Sequence, residues 1–283
     1  MFVQMYEEKF MRFPEGRAKA LTFSYDDGVR ADKRLIALFD KYGLKGTFNL
    51  NSLLFAAEEW HGRMDEEETY STFRSSAHEV ALHGARHIFL DKVPLPEAVN
   101  ELVQNRVYLE NKFNRIVRGM AYAYNSYSDE ILDILPRLGV IYARTTESTH
   151  AFSLPQNFLK WHPTCHHKDP RLEELAQKFI ESTPCDEPKH RESRLFFVWG
   201  HSYEFDDDGN WDMMERFAQK VGARGDIWYA TNIEIYEYLQ AYRSLVFSID
   251  GERAYNPSAI PVWLELRGRI YKIEPLQTLH FDK

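Results

Sequence analysis

Two adjacent carboxylates, two histidines four residues apart and a third histidine far downstream are the side chains whose types and spacing suit chemistry. Asp26 and Asp27 stand where the apolar run Leu21–Tyr25 breaks off, and Gly28 follows them. Alternation along a strand would point the two carboxylates apart. A turn at this place lets both converge, and Gly28 permits backbone angles that other residues resist. The plainer alternative is an acidic turn capping the next helix. His83 and His87 enclose Gly84-Ala85-Arg86, and histidines at that spacing share one face of a helical turn. Neutral imidazole is the commonest metal ligand, so the pair suits one ion. Its plainer reading is a histidine pair that holds none. His201 ends RLFFVWG, the most hydrophobic strand-like run of the chain. Tyr124 ends GMAYAY, and Trp161-His162-Pro163-Thr164-Cys165-His166-His167 either lines a pocket or forms a polar loop.

The elements that must position these groups alternate between short apolar runs and amphipathic stretches. Strands are expected over 21–25, 45–51, 79–82, 119–124, 140–144, 158–161, 194–200 and 226–230. Helices are expected between them, over 94–114 (apolar at Val99, Leu102, Val103, Val107 and Leu109), 128–138, 170–181, 211–221 and 232–242. The stretch 51–74, with its acidic run Asp65–Glu68, reads as a solvated loop, and 184–194 as charged and irregular. Residues before Lys19 read as a surface wrap or a short edge strand. Asp26-Asp27, His83 with His87, Tyr124 and His201 each fall at the carboxyl end of a different strand, where α/β barrels carry their active sites. From Leu245 the pattern turns to short antiparallel strands. The expected division is therefore an α/β domain over 1–243 and a small β appendage over 244–283, whose Trp263 and Tyr271 are more simply core than carbohydrate contacts.

These residues and their setting resemble the polysaccharide deacetylase family, the NodB-homology superfamily of carbohydrate esterase family 4. SYDDG is similar to that family's first motif, usually TFDDG. HGARH is similar to its His-x-x-x-His, AYAYN to its third motif and WGHSYE to its last, over roughly Ala18 to Tyr242. The resemblance implies a distorted (β/α)7-type barrel and metal-dependent removal of acetyl groups from N-acetyl sugars. It implies that Asp27, His83 and His87 bind one divalent metal, zinc first, with cobalt, nickel or manganese as alternatives. Asp26 would be the general base, His201 the general acid, and a backbone N–H near Tyr124 an oxyanion donor. The chain departs from the family at two places. The third-motif arginine, which orients the base, falls on Ala121, with Arg118 the nearest stand-in. The fourth-motif Asp and Trp have no clear match; Trp161 is the aromatic candidate, and Glu147, Asp169 or Glu204 the carboxylate. Tyr124, Trp161, His162 and Arg118 thus make up the expected substrate-side set.

Composition narrows the partners. Over 283 residues, 44% are hydrophobic and 14% aromatic, and the net charge is −8 without a basic cluster. Nucleic acid and anionic membranes are therefore poor partners, and no run is apolar enough to span a bilayer. The early sequence lacks a signal-peptide apolar region, and Cys165 and Cys185 lack metal-type spacing. The expectation is a cytoplasmic, reduced protein acting on an acylated carbohydrate, its oligomeric state open. The same machinery would hydrolyse a formamide, an O-acetyl ester or a cyclic ureide. Two other classes compete: a non-haem iron oxygenase, which also uses two histidines and a carboxylate, and a non-catalytic carbohydrate-binding relic.

Overall fold

The computed structural model describes residues 9–55, 61–182 and 191–282. Residues 1–8, Cys185 and most of the stretch 184–194 lie outside them. In chain order the elements are β1 (Lys9–Arg12), β2 (Lys19–Asp26), α1 (Ala31–Tyr42), β3 (Gly46–Leu50), α2 (Glu66–Phe73), β4 (Glu79–Leu82), α3 (Leu95–Phe113), β5 (Gly119–Ala121), α4 (Asp129–Ile134) and β6 (Tyr142–Arg144). There follow β7 (Cys165–His166), α5 (Leu172–Glu181), β8 (Arg194–Gly200), α6 (Glu204–Asp207), α7 (Trp211–Val221), β9 (Ile227–Tyr229) and α8 (Asn232–Arg243). The chain closes with β10 (Val246–Phe247), β11 (Arg253–Tyr255), β12 (Val262–Leu266), β13 (Arg269–Ile273) and β14 (Thr278–His280).

The central sheet is parallel and curled, in the order β6-β5-β4-β3-β2-β8-β7, with β9 paired only to the start of β2. The segment 161–166 spans the gap between its edges: Trp161 bridges in parallel to Arg144 of β6, and Cys165 and His166 pair with β8. This is the distorted seven-stranded barrel expected from the sequence. Alternation sorts each strand into two layers. On β2, Leu21, Phe23 and Tyr25 face the helices, while Ala20 packs inside the barrel with Leu195 and Phe197 of β8, Tyr142 and Trp161. Phe196 and Val198 of β8 belong to the outer core, so this strand is buried on both faces, as its unbroken hydrophobicity predicts.

Three expectations are corrected. The proposed strand at 158–161 is a 3-10 turn over Phe158–Lys160, and the strand lies at Cys165–His166. The acidic run Asp65–Glu68 starts α2 rather than a loop. Asp65 accepts from the Glu68 N–H while the Glu68 carboxylate accepts from the Asp65 N–H, a reciprocal cap. Helix α3 buries Leu102 and Leu109 of its apolar pattern but not the whole of it. Val103 and Val107 are exposed while Glu101 and Asn105 are buried, because those two polar side chains hold the loop after β4. The appendage also reaches back to the chain start: β1 pairs antiparallel with β12 in the sheet β1-β12-β13.

Candidate active site

Asp26 is the last residue of β2 and faces inward. Asp27 leaves the strand with a positive φ of 86°, followed by Gly28 at 70°, and this turn swings both carboxylates to one side. Asp26 is held by the Asn49 amide, which donates to Oδ1 at 2.8 Å, and by an ion pair from Arg144 to Oδ2. Burial pushes the Asp26 carboxyl up, but the Arg144 guanidinium, with His83 and His201 nearby, outweighs it and holds the pKa at about 2. Asp26 is therefore a carboxylate at every working pH. Asp27 has its own arginine: Arg63 Nη2 donates to Oδ1 at 3.0 Å.

His83 and His87 do not lie on a helical turn, contrary to the sequence expectation. They sit in an irregular loop after β4 in which Gly84 takes φ 79° and His87 φ 58°. A Cβ at Gly84 would stand 2.9 Å from Glu101 Oε1. The loop is pinned from α3 and β3. Asn105 Oδ1 accepts from the His83 N–H at 3.1 Å, Glu101 Oε1 accepts from the Arg86 N–H at 2.5 Å, and the Asn51 amide donates to the carbonyls of His83 and Gly84. The two Nε2 atoms end 3.1 Å apart, and each lies within 3.8 Å of Asp27 Oδ1.

These three atoms have the mutual spacing of ligands around one first-row ion, whose bonds run about 2.0–2.2 Å. The donor chemistry agrees. His83 Nδ1 donates to the Ala121 carbonyl at 3.0 Å, which leaves the Nε2 lone pair facing Asp27, the usual arrangement of a metal-ligating imidazole. Burial and the neighbouring His83 pull His87 down to about 4, so that ring is neutral near pH 7. A second cluster, His166, His201 and Glu204, has comparable spacing but opposite chemistry. His166 Nδ1 accepts from the Lys168 N–H at 3.1 Å, so neutral His166 carries its proton on Nε2, 3.2 Å from Glu204 Oε2. That cluster is a hydrogen-bonded one.

His201 follows β8, with Nε2 3.9 Å from Asp26 Oδ2 and 4.0 Å from Asp27 Oδ2. Its Nδ1 lies 3.4 Å from Glu204 Oε2, which also accepts from the His201 backbone N–H at 3.1 Å. Burial lowers the imidazole pKa, but the Glu204 hydrogen bond and the two aspartates more than reverse this, and it stands above its ordinary value. Glu204 is in turn held far below the usual carboxylate range despite its burial, by hydrogen bonds from His166 and His201 and the nearby His167.

The expected substrate-side residues divide. Tyr124 lies at the site, half exposed, with its ring 4.4 Å from that of His87 and stacked at 4.1 Å on Phe89. Arg118 does not. It precedes β5, at the opposite end of the barrel, and pairs with Glu237 at 3.0 Å. The guanidinium beside Asp26 is that of Arg144, at the carboxyl end of β6. Trp161 is 2% exposed and packs on Tyr142, Phe158 and Phe197 as core. The tryptophan at the site is Trp199, whose ring lies 4.5 Å from the Arg144 guanidinium carbon. His162 bonds Thr145 at 2.6 Å and, with Trp161, borders a separate cavity of about 410 Å³ beneath residues 149–157. Of the three carboxylate candidates only Glu204 reaches His201; Glu147 faces His162 and Asp169 pairs with His150. Arg63, Asn49, Asn105 and Arg144 went unread in the sequence. For Asn49, Asn105 and Arg144 the available signal was a polar residue at a position that the strand or helix period assigns to the interior; Arg63, outside every element, carried none.

Residues 14–143 match the family model described as polysaccharide deacetylase. Comparison with curated proteins yields no match. Among solved structures the chain is similar to a candidate polysaccharide deacetylase from Mycobacterium smegmatis, with 15% identity over 85% of this chain and 96% of that one and a TM-score of 0.59. A mutant of a carbohydrate esterase family 4 pseudoenzyme, whose wild type is from Bacillus anthracis, is 15% identical over 80% of this chain and 69% of that one, with a TM-score of 0.50. A Streptococcus pyogenes deacetylase in complex with acetate is 19% identical at a TM-score of 0.44, and the alignment covers 49% of this chain and 61% of that protein's length. At these identities the likeness is one of fold.

Proposed function

We propose that this chain, a member of the polysaccharide deacetylase family through residues 14–143, is a metal-dependent hydrolase that removes an acetyl or similar acyl group from an N-acylated sugar. The observation that carries the reading is the convergence of Asp27, His83 and His87 beside a second carboxylate and a third histidine. Asp27 Oδ1 and the two Nε2 atoms would hold one divalent ion, with zinc the first candidate. Bound there, the ion supplies an activated water and polarises the acyl carbonyl.

The protein's own groups supply the proton transfers. Asp26, ionised and fixed by Arg144 and Asn49, is placed to take the proton of the attacking water as general base. His201 carries its proton to higher pH than a free imidazole does, and Nε2 faces the same space. It is suited to protonate the departing amine. Glu204 fixes the ring by accepting the hydrogen bond of Nδ1–H, so Nε2 is the atom that acts. Tyr124 contributes an exposed aromatic edge at the mouth, next to His87, and a backbone N–H on its loop is the proposed oxyanion donor.

The alanine at 121 favours the relic reading; Arg144 supports the catalytic one by giving Asp26 a cation from another strand. The iron-oxygenase reading suits antiparallel scaffolds poorly matched to this parallel barrel. Elemental analysis of wild type beside His83→Ala tests the proposal. About one equivalent of divalent transition metal, lost in the variant, with acetate released from acetylated sugars by wild type alone, is the expected result. No metal in either after reconstitution would remove the mechanism.

A further inference from the structure

Asp27 Oδ1, the oxygen that faces both imidazoles, is already bonded to a cation. Arg63 Nη2 donates to it at 3.0 Å, while Nη1 donates to the Asp27 carbonyl and to Asn51 Oδ1. Arg63 is 2% exposed and Asn51 3%, so the guanidinium is a fixed, buried charge. Asn51 in turn holds the carbonyls of His83 and Gly84 through its amide. One arginine thus ties the carboxylate half of the ligand set to the imidazole half with no ion needed. The two buried carboxylates each have an arginine, Asp26 with Arg144 and Asp27 with Arg63, so the pair is electrically neutral before any ion arrives.

A divalent ion entering this place shares its ligand oxygen with a guanidinium and sits close to its charge. In a water-poor interior that repulsion is only partly screened, and the oxygen has less electron density to give. Removing the usual hydrogen-bond partners behind metal ligands costs about 10–100-fold in metal affinity; Arg63 differs from those partners in donating to the ligand oxygen itself and in carrying a positive charge. We infer that Arg63 is a positioning residue that holds the ligand set in shape and, through its charge, weakens its hold on an ion, so that the metal is exchangeable. The inference rests on Asp27, His83 and His87 being the metal ligands.

Zinc affinity is measured by competition with a chromogenic chelator, on metal-free wild type, Arg63→Gln and Arg63→Lys, with thermal melts of each. With that repulsion removed, Arg63→Gln is expected to bind zinc about tenfold tighter or more, and its metal-free form to melt lower than wild type. Arg63→Lys keeps the charge but loses the fork of donors; if the charge sets the affinity, it is expected to stay within about threefold of wild type. Equal or weaker zinc binding by Arg63→Gln overturns the inference and leaves Arg63 a strut. Should Arg63→Gln fail to fold, Arg63→Lys still decides: a loss of about tenfold or more makes the fork geometry, not the charge, the determinant. Wild type that takes up no zinc sinks the metal reading itself, a result distinct from any difference among the variants.

Discussion

Arg144 and Glu204 are the residues on which the proposed acid–base pair depends, and each has a measurable consequence. Without Arg144, burial of Asp26 is opposed mainly by histidines, so the carboxyl pKa rises from about 2. Arg144→Ala is expected to lower kcat/KM by about a hundredfold or more near neutrality. It should also move the acid limb of the pH profile upward, and leave the bound metal in place. Metal loss in that variant would mean that Arg144 supports the ligand loop instead. Glu204 acts on the other limb. His201 must be protonated to serve as the acid, and its pKa is raised chiefly by the Glu204 hydrogen bond against the effect of burial. Glu204→Gln therefore shifts the alkaline limb to lower pH, with metal content unchanged. An alkaline limb that stays where wild type has it would detach Glu204 from the acid's role.

Strands and helices carry a second titration at the barrel's opposite end. Glu79, first residue of β4, accepts from Tyr142 OH at 2.7 Å, Thr47 Oγ1 at 2.7 Å and the Ile233 N–H at 2.9 Å. Burial lifts its carboxyl to about 7, although all three hydrogen bonds pull it down. A folded-state pKa above the unfolded one means the folded chain holds its proton longer. The stability linked to it is full below the unfolded pKa, near 4.5, and declines as pH rises through about 7. The decline amounts to as much as about 3 kcal/mol. Glu79→Gln is expected to remove that slope, read as urea midpoints between pH 4.5 and 8; a slope identical to wild type would locate the titration elsewhere. Helix α3 shows a related conflict of scales. Its apolar spacing points Val103 and Val107 inward, but the loop after β4 needs the polar anchors Glu101 and Asn105, and the anchors face in.

At the scale of the whole chain, the two ends are fastened to each other as well as to the barrel. Arg12 of β1, 1% exposed, donates to Glu265 of β12 at 2.7 and 3.1 Å and to the carbonyls of Met11 and Arg191. Tyr238 of α8 caps the same junction, donating to the Arg12 carbonyl and accepting from the Trp263 N–H at 3.0 Å. Breaking a buried pair by removing one partner leaves the other charge uncompensated. Arg12→Ala should destabilise the protein by about 3 kcal/mol, as a fall in the denaturant midpoint. A loss below about 1 kcal/mol would show that Arg191, 3.4 Å from Glu265, is sufficient.

The sequence by itself determined the βα alternation and the strand ends that carry Asp26, Asp27, His83, His87 and His201, while the distorted barrel was implied by the resemblance of its motifs. Strand alternation and βα order are local periodicities, and the carboxyl ends of parallel strands necessarily meet on one face. The tertiary structure alone decided what stands behind those groups. Arg144 reaches Asp26 across 118 positions and Arg63 reaches Asp27 across 36. Arg118, near in sequence to the expected arginine position, sits at the wrong end because it precedes its strand rather than following it. The choice of Trp199 over Trp161 likewise turned on which aromatic ends beside Arg144 once the sheet curls. A buried charge takes whichever counter-ion the fold brings within hydrogen-bonding distance, and separation along the chain carries no record of that.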